Sequence, residues 1–324
     1  MTDLKELQLL IEEAVNKLSF PNHPAELYEP ISYILSIGGK RLRPALLLMA
    51  CDLFGGDVKA AVPPALAIEV FHNFTLMHDD IMDNAPLRRG KTTVHERWNP
   101  NVAILSGDAM LVEAYKLLMQ IDNSILRPAL ILFNQMGSAV CEGQQIDMQF
   151  EQRDNVSLEE YLDMIRLKTA VLLGCALEIG ALAGGANKAN AELLYTFGER
   201  LGIAFQLQDD ILDVYGDPEK FGKQVGGDII ANKKTWLLIK ALELAGERER
   251  AELDKWLLAK TFDVAEKVKA VTAIYDGLGI RQLAAEAMQA FATEAYQALE
   301  QIKVETERKQ QLRYFADNLL NREK

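Results

Sequence analysis

Twice in this chain of 324 residues an apolar helical run ends in Asp-Asp-x-x-Asp, first as Asp79-Asp80-Ile81-Met82-Asp83 and again as Asp209-Asp210-Ile211-Leu212-Asp213. On a helix, residues four apart stack on one face and the intervening neighbour stands about 100° to the side, so each trio can offer its carboxylates to a shared cation. The placement is unfavourable otherwise, because a helix C-terminus carries partial negative charge and each acid there costs roughly 0.3–1 kcal/mol. A positive ligand is therefore expected. Hard divalent cations take oxygen ligands, and magnesium favours one or two carboxylates completed by substrate phosphates. One such motif alone reads as a solvated helix end. Two copies, each followed by basic residues, point to Asp79, Asp80, Asp83, Asp209, Asp210 and Asp213 as ligands of about two or three magnesium ions, with manganese an alternative. Such a pair describes a clamp for a diphosphate, which requires both trios to serve one site.

With 49% hydrophobic residues the chain can bury a large core. No linker-like break in composition appears, so the expectation is one domain over residues 1–324. A net charge of −12 argues against nucleic acid and against an anionic membrane surface. The start, Met1-Thr2-Asp3-Leu4-Lys5-Glu6, is polar and acidic, unlike a signal or transit peptide. Cys51, Cys141 and Cys175 are odd in number and lie in apolar runs without Cys-x-x-Cys, as expected of reduced core residues in a cytoplasmic protein. The apolar run Ala170 to Ala186 is short, interrupted by Glu178 and rich in glycine; it reads as a buried core helix and gives no stable membrane insertion.

Helical periodicity predicts helices over about 3–18, 25–37, 43–54, 60–83, 101–121, 125–150, 188–215 and 234–245. Ser157-x-x-Glu160 signals a capping box, and the helix it opens is expected to run to Gly184-Gly185 with a kink near Gly174. The last 80 or so residues read as three or four amphipathic helices. No period-two strand signal is present. The fold class is all-α, a bundle of roughly a dozen helices.

The cations cluster. Arg88-Arg89 follows the first acid motif in a loop bounded by Pro86 and Gly90, placed either to pair with the aspartates or to grip the same anion in bidentate fashion. Lys40 and Arg43 flank a turn opened by Gly38-Gly39 and suggest a separate anion site; an ordinary basic turn is the alternative. His72 precedes Asp79 by two helical turns on the same face and can donate to a second phosphate or serve as a core histidine. His78 either orients a carboxylate or plays no part. Lys168-Thr169 interrupts an apolar helix, and its ammonium needs a partner: Asp147, a phosphate, or a developing carbocation. Lys223 and Lys233, past the second acid motif, can close over a bound diphosphate or remain solvated.

Together these residues resemble the trans-prenyl diphosphate synthases, the family of farnesyl and geranylgeranyl diphosphate synthases, over nearly the whole chain. The matching stretches are Gly-Gly-Lys-Arg-x-Arg-Pro at 38–44, the first acid motif with Arg88-Arg89, Gly-Gln-x-x-Asp at 143–147, Lys168-Thr169, Phe-Gln-x-x-Asp-Asp-x-x-Asp at 205–213, Gly222-Lys223 and Lys233. The resemblance implies an all-α bundle around a deep apolar cavity and a homodimer. It implies magnesium between the acid motifs, with an allylic diphosphate (dimethylallyl, geranyl or farnesyl) held by Arg88, Lys168 and Lys233. Isopentenyl diphosphate would occupy Lys40, Arg43, His72 and Arg89. Thr169 and Gln206 would stabilise the allylic cation or orient the diphosphate, and pyrophosphate would serve as the base.

Chain length in this family is set by residues just upstream of the first motif. Phe74 and Thr75 stand there, with Phe71 one turn earlier, a pattern that resembles archaeal-type geranylgeranyl synthases and favours a C20 product over C15. Ideal-helix geometry turns Phe74 away from the aspartate face, which leaves Phe71 or a neighbouring helix as the cavity floor. The competing functions are a class I terpene cyclase and a non-catalytic subunit of a heteromeric synthase. The basic site beside Gly38-Gly39 and the intact second motif argue against both.

Overall fold

The computed structural model describes residues 3–217 and 225–321. Lys223 lies outside the described residues. The helices are α1 (Leu4–Asn16), α2 (Ala25–Ser36), α3 (Leu42–Leu53), α4 (Val62–Met82), α5 (Val94–Arg97), α6 (Pro100–Leu118), α7 (Asn123–Glu151) and α8 (Leu158–Ile165). A π-helical turn (Arg166–Ala170) leads into α9 (Val171–Ala183) and α10 (Lys188–Tyr215). Then come α11 (Gly227–Ile230), α12 (Trp236–Leu244), α13 (Glu247–Leu258), α14 (Val264–Gly277), α15 (Ile280–Gln301) and α16 (Thr306–Leu320). The expected helices all form, with ends shifted by a few residues. The chain divides into two compact units: Met1–Asn134, Cys175–Tyr195 and Ile302–Leu312 make the first, and Gln135–Gly174, Thr196–Gln301 and Arg313–Lys324 the second.

The first unit is built on α3 and α4. Residues Ala45 to Cys51 are buried on every side, so α3 has no polar face to give to water. Gly180 and Gly184 of α9, four apart and therefore on one face, lie directly on it: a Cβ at Gly180 would stand 2.1 Å from the Leu47 carbonyl oxygen, and one at Gly184 2.5 Å from that of Cys51. This close approach accounts for Gly180 and Gly184 in the apolar run. Among the described residues no helix is long and apolar enough to cross a membrane. Cys51 and Cys175 are buried as expected, but Cys141 is exposed. Val140 and Gly143 occupy the inner face of α7, and Cys141 falls about 100° away from its neighbour, toward solvent.

Helix α4 packs along α6 and against α3. It ends in a Schellman arrangement, with Asn84 left-handed (φ 49°), Asn84 N–H donating to the Ile81 carbonyl (3.2 Å) and Ala85 N–H to that of Asp80 (2.9 Å). Past this stop the chain forms a short hairpin, contrary to the expectation of no strand. Leu87–Arg88 pairs antiparallel with Lys91–Thr92, and Arg89 (φ 51°) and Gly90 (φ 73°) form the connecting turn. Positive φ at both central positions is the geometry of a type I′ hairpin. Strands of two residues are too short to show any periodicity.

In the second unit α8, α10, α12, α13, α14 and α15 share one apolar core that includes Tyr161, Leu207, Leu237, Leu253, Tyr275 and Ile280. The Ser157–Glu160 capping box forms, with Ser157 N–H donating to Glu160 Oε2 at 2.9 Å and Glu160 N–H to Ser157 Oγ at 3.2 Å. The helical run opened by Ser157 continues without a break to Ala183, as expected, but its irregularity is the π-turn at Arg166–Ala170 and not a kink near Gly174, which is regular α-helix. Two glycines from other helices press on that turn. A Cβ at Gly143 of α7 would lie 2.3 Å from Lys168 N, and one at Gly202 of α10 would lie 2.7 Å from Ala170 Cα. Single-turn π-insertions collect at functional positions, and this one carries Lys168 and Thr169.

The packing of Gly143 is testable. Alanine would gain up to about 1 kcal/mol of helix propensity, but its methyl group would meet backbone, where overpacking costs about 1–3 kcal/mol or more. We expect Gly143→Ala to lower the melting temperature by several degrees in a thermal unfolding experiment; an unchanged or raised value would show that the π-turn yields freely.

Candidate active site

In the first unit, the Gly38-Gly39 turn makes room for a guanidinium. Gly38 is left-handed (φ 83°), and a Cβ at Gly39 would stand 2.5 Å from Arg89 Nη1. Arg89 thus lies where any other residue at 39 would put its side chain. The next arginine, Arg41, is left-handed (φ 46°) and only 4% exposed. Its Nε donates to Glu12 (2.9 Å), Nη1 to Glu69 (2.5 Å) and Nη2 to the Leu35 carbonyl (2.7 Å), which joins α1, α2 and α4. Asn73 steadies Glu69 through hydrogen bonds to its carbonyl (2.8 Å) and carboxylate (3.0 Å). Arg41 is structural, and this leaves the flanking Lys40, exposed, and Arg43, half-buried, as the outward cations of the turn. The Lys40 main chain is held by Gln8, whose amide donates to its carbonyl at 2.5 Å.

Arg43 Nη1 lies 3.2 Å from His72 Nε2. A guanidinium has no lone pair, so Nε2 accepts and the ring proton is on Nδ1. Burial holds the His72 imidazole well below its ordinary value, and the guanidiniums of Arg43, Arg89, Arg88 and Arg41 push it further in the same direction. His72 is therefore neutral among four arginines. Burial likewise lowers Arg89, with Arg88 and Arg41 adding to the effect and Glu69 opposing it.

The first acid motif divides by environment. Asp80, 2% exposed, is gripped by Arg88, whose Nε sits 2.9 Å from both carboxylate oxygens and whose Nη2 is 2.7 Å from Oδ1. Asp79 is half-buried and Asp83 exposed. His78 is fixed by packing: its Nε2 lies 3.1 Å from the Ile104 carbonyl, and a Cβ at Gly107 would stand 2.2 Å from that nitrogen. Behind the motif runs a row of rings. Phe74 meets His78 (4.8 Å between centroids) and Phe71 (5.5 Å); Phe71 meets Phe133 (5.3 Å), and Phe133 meets Tyr115 (5.1 Å). Phe71 and Phe74 are buried, whereas Thr75 is half-buried and donates its hydroxyl to the His72 carbonyl at 2.8 Å. Phe133 and Tyr115 belong to α7 and α6, so no local pattern connects them with residues 71–75.

In the second unit, Lys168 on the π-turn donates to Asp147 Oδ2 at 2.5 Å, which identifies the partner its ammonium requires. Thr169 beside it is half-buried. Asp210, 3% exposed, accepts from the Tyr161 hydroxyl, from Trp236 N–H (3.3 Å) and from Gln206 Nε2 (3.3 Å). Burial pushes its carboxyl up to about 7 against the lowering effect of the Tyr161 hydrogen bond. Tyr161 itself is raised well above its ordinary value by burial and then by the charge of Asp210, so it remains a donor. Asp213 Oδ2 accepts from Asp228 N–H at 2.9 Å, and Asp209 is half-buried. Lys233 is exposed and lowers the Asp210 carboxyl electrostatically. Tyr161 gives no signal in the sequence, because it falls on the apolar face of α8 like any core aromatic.

Among the described residues no three His, Cys, Asp or Glu side chains are arranged to hold a metal by themselves. The donors that fit one are carboxylates only, hard oxygen ligands short of a closed cage, which suits a cation completed by phosphate oxygens.

Comparison with known proteins agrees with this chemistry. A geranylgeranyl diphosphate synthase of Methanosarcina mazei is 40% identical over 243 residues, 74% of this chain and 75% of that protein. One of Sulfolobus acidocaldarius is 45% identical over 229 residues, 69% of each. A crystal structure of a geranylgeranyl pyrophosphate synthase matches with a TM-score of 0.95 at 44% identity over 99% of both chains, and one from Pyrococcus horikoshii with 0.91 at 33% over 98% of both. The fold is the all-α isoprenoid synthase fold, and the chain is a prenyltransferase. It belongs to the polyprenyl synthetase family, whose model matches residues 24–275.

The state of His72 has a consequence for stability. A histidine whose folded value is depressed contributes stability that is fully present above its unfolded value, near 6.5, and is lost as pH falls below it, at a slope of at most about 1.4 kcal/mol per pH unit. We expect His72→Asn to flatten the loss of stability between pH 7.5 and 5.5 in urea denaturation without substrate. Parallel curves for the two proteins would mean that His72 titrates normally.

Proposed function

We propose that the chain is a short-chain trans-prenyltransferase that joins an allylic diphosphate head to tail with isopentenyl diphosphate and releases pyrophosphate, with geranylgeranyl diphosphate as its main product. The observation that carries this reading is the gathering of cations beside the Gly38-Gly39 turn, with Arg43 Nη1 3.2 Å from His72 Nε2 and Arg89 Nη1 in the space a Gly39 side chain would take. Arg41 is paired with Glu12 and Glu69 and Arg88 with Asp80, and the cationic turn around His72 suits a diphosphate separate from the one bound at the acid motifs. A cyclase uses one diphosphate; a condensing enzyme needs two. The relatives named as geranylgeranyl diphosphate synthases support the product length.

In this mechanism Asp79, Asp80, Asp83, Asp209, Asp210 and Asp213 would supply carboxylates for magnesium, and the protein donors on Asp80, Asp210 and Asp213 fix the chain at each motif. Bound magnesium would neutralise the charge that develops on departing pyrophosphate. Arg88, Lys168 and Lys233 bind allylic diphosphate oxygens, with Lys223 added by the family pattern. Lys40, Arg43 and Arg89 bind isopentenyl diphosphate, and His72 orients Arg43. The allylic C–O bond breaks with its electron pair leaving on pyrophosphate. The isopentenyl double bond then attacks the allylic carbon, and a proton is lost to a pyrophosphate oxygen. Gln206 gives its N–H to Asp210, so its carbonyl oxygen, with the Thr169 hydroxyl, is the dipole available to the cation. The rings of Phe74, Phe71 and Phe133 limit the growing chain.

The same reading makes the enzyme a homodimer. Leu105 and Val112 of α6 are 60% and 56% exposed, and Ile104, Met119 and Ile131 continue the exposed apolar surface. A second copy of the chain would cover it.

Incubation with geranyl diphosphate and labelled isopentenyl diphosphate should give labelled C20 diphosphate, and a cyclised hydrocarbon without label would contradict the proposal. Asp79→Ala and Asp209→Ala should each lower turnover at least about a hundredfold with folding intact. Phe133→Ala should lengthen the product, and an unchanged product would remove the aromatic row from the floor.

A further inference from the structure

Lys267 of α14 is 1% exposed, and its ammonium has only uncharged partners among the described residues: Asn232 Oδ1 at 2.6 Å, the Ile230 carbonyl at 3.2 Å and the Phe262 ring at 4.1 Å. A buried ammonium without a counter-ion is expensive, and burial lowers its proton affinity. A leucine or methionine would fill the space without that cost. What the charge holds is the end of α11. The Ile230 carbonyl is among those a helix terminus leaves without an intrahelical partner, and Asn232 sits in the left-handed region (φ 54°) with its own amide donating to the Leu257 carbonyl at 3.0 Å. One helical position on, Val268 packs where a side chain at Gly226 would be, 2.8 Å from the ideal Cβ. So α14 holds the segment from 226 to 232 near both ends.

That segment and the start of α12 just beyond it serve the second acid motif. Gly226 N–H donates to the Asp213 carbonyl (2.6 Å), Asp228 N–H to the Asp213 carboxylate (2.9 Å), and Trp236 N–H to Asp210 (3.3 Å). Lys233 follows Asn232 directly, with its N–H on the Asp228 carbonyl at 2.9 Å. We propose that Lys267 is a positioning residue for the allylic diphosphate: its ammonium, through Asn232 and the Ile230 carbonyl, sets the backbone that orients Asp210 and Asp213 and aims Lys233. This inference rests on the function proposed above. Lys267 touches no substrate in this role; it fixes the donors that do.

The test is steady-state kinetics of Lys267→Met and Asn232→Gly, and of the two combined, with the allylic and isopentenyl substrates varied separately and inorganic pyrophosphate as a competitor. Asn232→Gly keeps the left-handed backbone accessible while removing the acceptor, so it remains informative if Lys267→Met folds poorly. We expect each variant to raise the KM for the allylic substrate and the Ki for pyrophosphate about tenfold or more, with the KM for isopentenyl diphosphate unchanged. The double variant should fall short of the sum of the two single effects, because the two side chains share the contact between Nζ and Oδ1. Equal increases in both KM values, fully additive effects, or a lowered melting temperature with unchanged KM would overturn the role of Lys267 while leaving the prenyltransferase reading intact. A wild-type protein that condenses neither substrate pair would overturn both.

Discussion

At the end of α4 the peptide dipole and three carboxylates carry the same sign, and the chain sustains that opposition through Arg88. One guanidinium across both oxygens of Asp80 offsets the acid buried deepest and ties the helix end to the hairpin beyond it. The hairpin turn in turn forces Arg89 into a left-handed conformation, next to the space left by Gly39. The first acid motif and the basic turn are thus mechanically one object, although 35 or so residues separate them in sequence.

Among the described residues the non-glycine positions with positive φ are Arg41, Asn84, Arg89 and Asn232. Each borders a candidate binding element: the basic turn, the stop after Asp83, the hairpin and the residue before Lys233. Such conformations cost about 1–3 kcal/mol each and persist only where surrounding contacts determine them. For Arg41 those contacts are Glu12, Glu69 and the Leu35 carbonyl; for Asn232 they are Lys267 and Leu257. Sites that must bind two highly charged substrates gain from having their cations fixed beforehand, because cations left mobile would collapse onto the nearest carboxylate.

The sequence reveals whatever is encoded within a few residues. Helical periodicity, the Ser157 cap and the requirement of Lys168 for a partner are of that kind, and each has its counterpart in the structure. The π-turn is not legible in this way, because what presses on it, Gly143 and Gly202, comes from other helices. Arg41 is inconspicuous between Lys40 and Arg43, since its partner Glu69 looks, in sequence, like one acid in an apolar helix. Cys141 reads wrongly as a core residue because an apolar neighbourhood along the chain does not say which face of α7 a side chain takes.

The two acid motifs have matching sequences, yet their middle residues are satisfied by unrelated means. Asp80 is neutralised by a full positive charge, whereas Asp210 receives three dipolar donors from Tyr161, Gln206 and the Trp236 N–H. The consequence for charge is different in the two units. An ion pair leaves the neighbourhood of Asp80 near neutral, so the pull on a cation there falls to Asp79 and Asp83. Hydrogen bonds from neutral groups leave the Asp210 charge in place, and burial then raises its proton affinity. A divalent ion close to Asp210 would reverse that shift by favouring the ionised form. The proton affinity of Asp210 therefore depends on what is bound beside it.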